Sequence, residues 1–333
     1  MISPRVKRSL KSELRTSLLA KLGLVLLVAI FLMATFAPVL APHNPTAQGL
    51  ESGQTPPIGF TQTETTTQLV DGETERVETT IEPTWEHPLG TDQFGQDMLS
   101  RLIYGARTSL MVGLIGTGIA AGIGVPYGLA AGYFGGRTDD ALMRGADVML
   151  AFPSLVLAIA LIGLFGASVV WIPDPLVQAG LVDGMPESFA LPGTVTLVVA
   201  LVNWVWFARV ARGEALSIRN EEYVKAARSL GASDLTILRK HVLPNSLTPI
   251  IVLATIQVAA IILLESALSF LGFSGTTLSW GYDIAQGRGY LATAWWISTI
   301  PGIAIVLAVV SVNLLGDWLR DALDPSIEGE GGV

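Results

Sequence analysis

Six stretches of this chain carry no charged residue over a length sufficient to cross a lipid bilayer, and this decides most of what it can fold into. They run over 22–41, 109–134, 148–173, 191–208, 246–264 (continuing to Phe273) and 291–316. A hydrocarbon core of about 30 Å needs about 20 helical residues, and each window supplies that. A buried helix of a soluble protein would be shorter and would keep a polar stripe, which these windows lack. Half of the 333 residues are hydrophobic and only 14% are charged, which fits an integral membrane protein of all-α class with six transmembrane helices. The chain has no cysteine, which excludes disulfides, thiolate metal sites and cysteine nucleophiles.

Lysine and arginine counts give an expected orientation. Six precede the first window or sit at its edge (Arg5, Lys7, Arg8, Lys11, Arg15, Lys21), two follow the second (Arg137, Arg144), seven lie from Arg209 to Lys240, and Arg320 follows the last. Sixteen of the twenty therefore fall on one side, which predicts cytoplasmic N- and C-termini, while Arg76, Arg101, Arg107 and Arg288 fall on the other. The first apolar run is longer than the core of a secretory signal, and no A-x-A site follows it, so it is expected to remain as an anchor. The formal charge of −8 arises largely from residues 51–97, which hold ten acids and the single base Arg76. This Thr- and Glu-rich stretch reads as a polar extracytoplasmic loop without a core of its own, or as an acidic face suited to high external salt and a halophile source. Nothing in this charge pattern suggests nucleic-acid binding.

Between the fourth and fifth windows lies "EYVKAARSLGASDLTILRKHVLPNSL", residues 222–247. Each Lys or Arg at the centre of a membrane helix costs about 2.5–3.5 kcal/mol, so this segment stays out of the hydrocarbon. Tyr223, Ala226, Ala227 and Leu230 fall on one face of a helix at i, i+3, i+4 and i+7. Gly231 supplies a stop. Ser233 can cap a second short helix, with Leu235, Leu238 and Val242 as an apolar stripe ending before Pro244. Alanines on an apolar face allow close approach of another surface, so the pair reads either as a docking element or as an amphipathic pair lying on lipid or on its own bundle.

These residues resemble the loop signature of ABC-transporter permeases: E-A-A, three residues, G, nine residues, I, one residue, L-P. Ala226, Ala227, Gly231, Leu243 and Pro244 match it, Lys225 and His241 stand in place of the Glu and Ile, and Glu221 or Glu222 lies just upstream. The stretches "HPLGTDQFGQDMLSRLIYGARTSL" (87–110), "GGRTDDALMRGADVMLAFPSLVLAIAL" (135–161), "ESALSFLGF" (265–273) and "GDWLRDALDP" (316–325) resemble the dipeptide/oligopeptide/nickel permease family, specifically the subunit with one N-terminal span and an external loop. Gln96 stands where arginine is common in such sequences.

The resemblance implies an ABC importer type I permease fold. It also implies a heterodimer with a second homologous permease, two cytoplasmic ATPase subunits, an extracytoplasmic solute-binding protein, and a place in the plasma membrane lipid. Cargo by family is di- or oligopeptides; nickel chelates and oligosaccharides are alternatives, and an ion-coupled secondary transporter is the rival of another class. The latter would carry coupling charges within its spans, and the six windows hold none. No G-x-x-x-x-G-K-[ST] occurs, so ATP and Mg belong to partner ATPase chains and this chain carries no cofactor. The coupling-loop set is Glu222, Tyr223, Lys225, Ala226, Ala227, Gly231, Leu243 and Pro244. The expected division is 1–41 for the N-terminus and first span, 42–106 for the external loop, 107–320 for a five-helix permease core with its docking loop at 209–247, and 321–333 for the tail.

Outside that loop, Gly118 and Gly122, then Gly124, Gly128 and Gly132, recur at four-residue spacing in the second window, the pattern of close helix packing in lipid. Glu265 is the acid embedded beyond the fifth window, about 28 Å along the helix from Ser246. It is expected either to face the solute pathway or partner permease near an outer gate, or to reach external water. Asp139, Asp140, Arg144 and Asp147 form a charged turn that contacts the ATPase, packs on its own bundle or is simply solvated. His43, His87 and His241 show no ligand spacing, so no metal site is expected, and no Ser-His-acid grouping suggests an enzyme.

Overall fold

The computed structural model describes Leu14 and residues 17–49, 53–70 and 73–323; the tail expected at 321–333 lies mostly outside these. The chain is mostly helical. Helix α1 (Leu18–Thr35) is followed by the short α2 (Ala37–Leu40) and a segment that ends at Asp97. Then come α3 (Met98–Phe134), α4 (Gly136–Leu150) and α5 (Ser154–Phe165). After α7 (Gly193–Ile218), the loop helices α8 (Glu222–Ser229) and α9 (Asp234–Ile237) lead through a π-helical turn (Leu238–Val242) into α10 (Leu243–Phe270). Helices α11 (Trp280–Gly287) and α12 (Trp296–Leu323) complete the chain. Among the described residues, five helices are long and apolar enough to cross a membrane, or six if the bent pair α4–α5 counts as one.

That pair corrects the third window. Instead of one helix over 148–173, α4 and α5 meet at an angle of 89°. Pro153 is the reason: it disfavours helical backbone at the preceding residue, so a new helix begins at Ser154. Helix α5, at 12 residues, is about 18 Å long. A hairpin of β3 (Val169–Pro173) and β4 (Ser188–Pro192) follows, enclosing α6 (Pro175–Gln178).

A second correction concerns the acidic loop. Part of it is an antiparallel hairpin, β1 (Gln62–Val70) with β2 (Glu73–Ile81), in register from Gln62↔Ile81 to Val70↔Glu73. The sequence between them reads Asp-Gly, the strongest two-residue hairpin signal.

Several helices also outrun their apolar windows, because ion pairs let charges enter them. Helix α3 starts at Met98, capped by Asp97, whose carboxylate accepts from the Ser100 N–H at 2.8 Å. Its buried Arg101 pairs with Asp283 of α11 and bonds Gln96. One turn and a half later, Arg107 pairs with Asp174 and donates to the carbonyls of Ala34 (2.9 Å) and Thr35 (3.1 Å), satisfying the open end of α1. Helix α7 runs past its window to Ile218, so the polar segment expected as loop from 209 begins as helix. There Arg209 meets Asp147 at 2.7 Å, and Arg212 grips Asp139 with two bonds of 2.5 and 2.7 Å. Two acids of the expected turn thus pair with their own bundle, Asp139 buried and Asp147 exposed.

The α3–α7 contact brings two helix backbones together. Gly124, Gly128 and Gly132 of α3 lie against the carbonyl oxygens of Trp204, Ala208 and Arg212, so closely that a Cβ would fall within 2.0–2.4 Å of them. Small residues at four-residue spacing on one helix therefore meet backbone at the same spacing on the other, the close approach that association in lipid relies on. Gly118 and Gly122 differ: a Cβ there would meet nothing within 4 Å.

Candidate functional site

The loop between α7 and α10 is built on a hydrophobic floor. Val224 of α8, Ile237 of α9 and Val242 of the π turn are buried together with Tyr133, Ala211, Ala215 and Ile218 at the ends of α3 and α7, and Ala227 packs against them. Tyr133 is the hub. Its hydroxyl donates to Asp234 Oδ1 at 2.7 Å and accepts from Arg228 Nη2 at 3.1 Å, while the Arg228 guanidinium carbon lies 5.4 Å from the ring centre. The hydrogen bond to Tyr133 holds the Arg228 pKa above its ordinary value. One residue of α3 thereby grips both legs of the loop.

The turn between the legs has a definite form. Gly231 takes φ +84°, its N–H bonds the carbonyl of Arg228 (3.0 Å), and the Ala232 N–H reaches back to Ala227 (3.1 Å). These are the paired bonds of a Schellman cap, which needs a residue tolerant of positive φ at the Gly231 position. Ser233 then caps α9, accepting from the Thr236 N–H.

With one face of α8 fixed inward, the other is presented outward. Tyr223, Ala226 and Leu230 are exposed, Leu230 to 88%, and Lys225 pairs with Glu222 at 2.9 Å on the same open surface. The expected four-residue face splits here: Ala227 turns towards the floor, and Val224, absent from the expected set, is the anchor. The stripe of the second helix also needs correction. Leu235 is 60% exposed and Ile237 takes the inward place. The physical reason is the π turn, where the Leu243 N–H bonds the carbonyl five residues back at Leu238. It spaces the inward residues Ile237, Val242, Ser246 and Ile250 by five, four and four. Contrary to expectation, the helix does not end before Pro244: Leu243 and Pro244 open α10, and the segment Asp234–Phe270 is one continuous candidate span. His241, in the signature's Ile position, sits with its ring centre 6.0 Å from that of Tyr223.

At the other end of α10, Glu265 is fully buried within this chain. It faces neither bulk water nor an open surface in this conformation. Ser269 donates to Oε1 at 2.6 Å, Ser109 of α3 to Oε2 at 3.3 Å, and Ser266 to Oε2 at 3.4 Å. The acid thus joins α10 to α3.

A helical, multiply spanning bundle with one anchored, outward-facing two-helix loop is the class this geometry defines. Residues 124–329 match the model of the binding-protein-dependent transport system inner membrane component, and residues 12–57 match the N-terminal transmembrane domain of oligopeptide transport permease C. Among curated proteins, a putative peptide transport system permease protein of Brucella suis is 37% identical over 316 residues, covering 93% of this chain and 89% of that one. The di/tripeptide transport system permease protein DppC of Pseudomonas aeruginosa is 35% identical over 308 residues (92% and 88% covered). The probable D,D-dipeptide transport system permease protein DdpC of Escherichia coli is 35% identical over 319 residues (95% and 91%). In fold, the chain is similar to one of the MetNI methionine ABC transporter in its inward-facing conformations, with TM-score 0.52, 18% identity, and 68% of this chain and 98% of that chain covered. The chain belongs to the binding-protein-dependent ABC transport permeases, in their dipeptide/oligopeptide branch. It is a multi-pass permease subunit of the plasma membrane that works with separate ATPase and substrate-binding subunits, and it is not an enzyme.

Proposed function

We propose that this chain forms, with a second homologous permease, the translocation pathway of an importer for di- or oligopeptides, and that α8 is the surface on which an ATPase subunit pushes. The peptide assignment rests on relatives that are themselves described as peptide and dipeptide permeases. The topology is six spans with α4–α5 as the broken one. Both termini and the α8 loop lie in the cytoplasm, on the side of sixteen of the twenty basic residues. Two ATPase subunits and an extracytoplasmic binding protein complete the assembly.

The observation that carries the coupling role is the two-sidedness of α8. Val224, Ala227 and Arg228 lock it to the ends of α3 and α7, while Tyr223, Ala226 and Leu230 remain exposed among the described residues. A helix held rigidly on one face and apolar on the other suits insertion into a partner groove. Movement of α8 is passed to α10 through the Gly231 turn and to α3 through Tyr133, so ATP-driven closure becomes rocking of the bundle. Glu265 ties α3 and α10 near the outer end, and opening the pathway there requires that tie to give.

Co-purification with the cognate ATPase tests the docking role. Ala226→Arg together with Leu230→Asp alters exposed positions only, so the permease should unfold at its usual midpoint and lose the ATPase. Undiminished ATPase binding by that variant would remove α8 from the interface.

A further inference from the structure

Two histidines far apart in sequence meet at a third residue in the outer segment. His43 follows α2, and His87 lies in the connection between β2 and α3. Their ring centres are 4.8 Å apart, and both face Asp97, the N-cap of α3. His87 Nδ1 is 3.1 Å from Asp97 Oδ1, and His43 Nδ1 is 3.7 Å from Asp97 Oδ2. One ligand atom from each of the three residues lies within 4.8 Å of the others. The expectation that the histidines are scattered thus holds for His241 and fails for this pair. The loops that join them close the 44-residue gap by backbone bonds, among them Met98 N–H to Gly90 O (3.0 Å) and Thr91 N–H to Thr55 O (2.9 Å).

We propose that His43, His87 and Asp97 bind a divalent transition cation of the zinc type. Two imidazoles and a carboxylate form the donor set such ions select, whereas calcium and magnesium take oxygen donors almost throughout. Tetrahedral bonds of about 2.0–2.1 Å place donors about 3.3 Å apart, a distance reached here by small rotations of the imidazoles. The carboxylate is already aimed: the Ser100 N–H (2.8 Å) and hydroxyl (2.6 Å) donate to Oδ2, and the same hydroxyl accepts the His43 backbone N–H at 3.0 Å. Outer groups that orient a ligand in this way are a feature of built metal sites. His43 Nδ1 is a buried atom with no hydrogen-bond partner among the described residues, although it points at a carboxylate. A hydrogen-bonded staple leaves that nitrogen unsatisfied; a cation satisfies it. On the other side of the ring His43 Nε2 lies 4.0 Å from Glu86 Oε1, so an acid faces the nitrogen that does not meet Asp97. The ion would fasten the end of α2 and the outer segment to the start of α3.

The test is a titration of the purified full chain in nanodiscs, stripped with chelator, using Zn²⁺ and Co²⁺. The proposal expects one tightly held equivalent per chain, a visible ligand-field spectrum with Co²⁺, and a rise in the unfolding midpoint with Zn²⁺. His43→Asn and His87→Asn each weaken binding at least tenfold and abolish that rise, while His241→Asn changes neither. In the unmutated chain, saturating Zn²⁺ shields His43 and His87, but not His241, from diethyl pyrocarbonate, which keeps the test independent of any variant's folding. Absence of a saturable equivalent, binding unchanged by both histidine substitutions, or equal labelling with and without Zn²⁺ overturns the site.

Discussion

Gly128→Ala adds one methyl group at the tightest point of the α3–α7 contact, and its effect can be worked from distances. The new Cβ would lie 2.0 Å from the carbonyl oxygen of Ala208, 2.7 Å from its carbonyl carbon and 2.8 Å from its Cα. Ordinary contact begins near 3.4 Å, so the helices must separate by about 1.4 Å there. All these neighbours are backbone, which cannot rotate aside. The strain is shared with Gly124 and Gly132, whose own contacts with Trp204 and Arg212 open as the helices part. Overpacking of this kind costs about 1–3 kcal/mol, against which alanine returns up to about 1 kcal/mol of helix propensity. Gly122→Ala makes the same chemical change where no atom lies within 4 Å, so it keeps the propensity gain without the clash. Unfolding both variants in mixed micelles by denaturing detergent should separate them by about 2 kcal/mol, with Gly128→Ala the weaker. Equal stability within about 0.5 kcal/mol would refute the view that backbone contact sets the α3–α7 distance.

Two further outcomes follow from buried polar groups. Arg101→Met leaves Asp283 and Asp92 without their cation, a loss of about 3–5 kcal/mol at neutral pH. Burial already raises the pKa of both acids, with Arg101 opposing it. A raised folded pKa gives stability that is complete below the unfolded value and is lost as pH rises through the folded one. The variant should therefore regain stability relative to the parent as pH falls towards the range in which these carboxylates take up protons, read as unfolding midpoint against pH; parallel profiles would count against the cluster. Glu265→Gln retains one acceptor oxygen for several hydroxyl donors. The loss of one or two hydrogen bonds, about 1–3 kcal/mol, should lower solute moved per ATP hydrolysed in the assembled importer at least tenfold, and transport at the parent's rate and coupling would remove Glu265 from the gate.

The spans were legible wherever apolar content alone decides the outcome, as in α1, α7, α10 and α12. Their ends were not, because Arg101, Arg107, Arg209 and Arg212 enter helices once Asp283, Asp174, Asp147 and Asp139 are beside them, and such partners lie 62–182 residues away. The break at Pro153 and the Asp-Gly between β1 and β2 were local signals that the apolar count and the acidic composition outweighed. In the loop, the Gly231 stop and the Ser233 cap were readable, whereas the inward role of Val224 was not. A face drawn from Tyr223, Ala226 and Leu230 looks equally apolar whether it turns inward or outward, and only the surrounding floor shows that these three turn outward. The His43–His87 pair depends wholly on loop closure and leaves no spacing to read.

The π turn at Leu238–Val242 separates the loop's length from its angular setting. Removing one residue there would restore regular helix with Ile237 four residues before the place of Val242, so the inward row would survive and Tyr223, Ala226 and Leu230 would keep their direction. A second deletion, with no π turn left to absorb it, would swing everything before the cut by about 100° around the helix axis. The turn thus works like a spare stitch, taking up one residue between Gly231 and Pro244 without turning the loop.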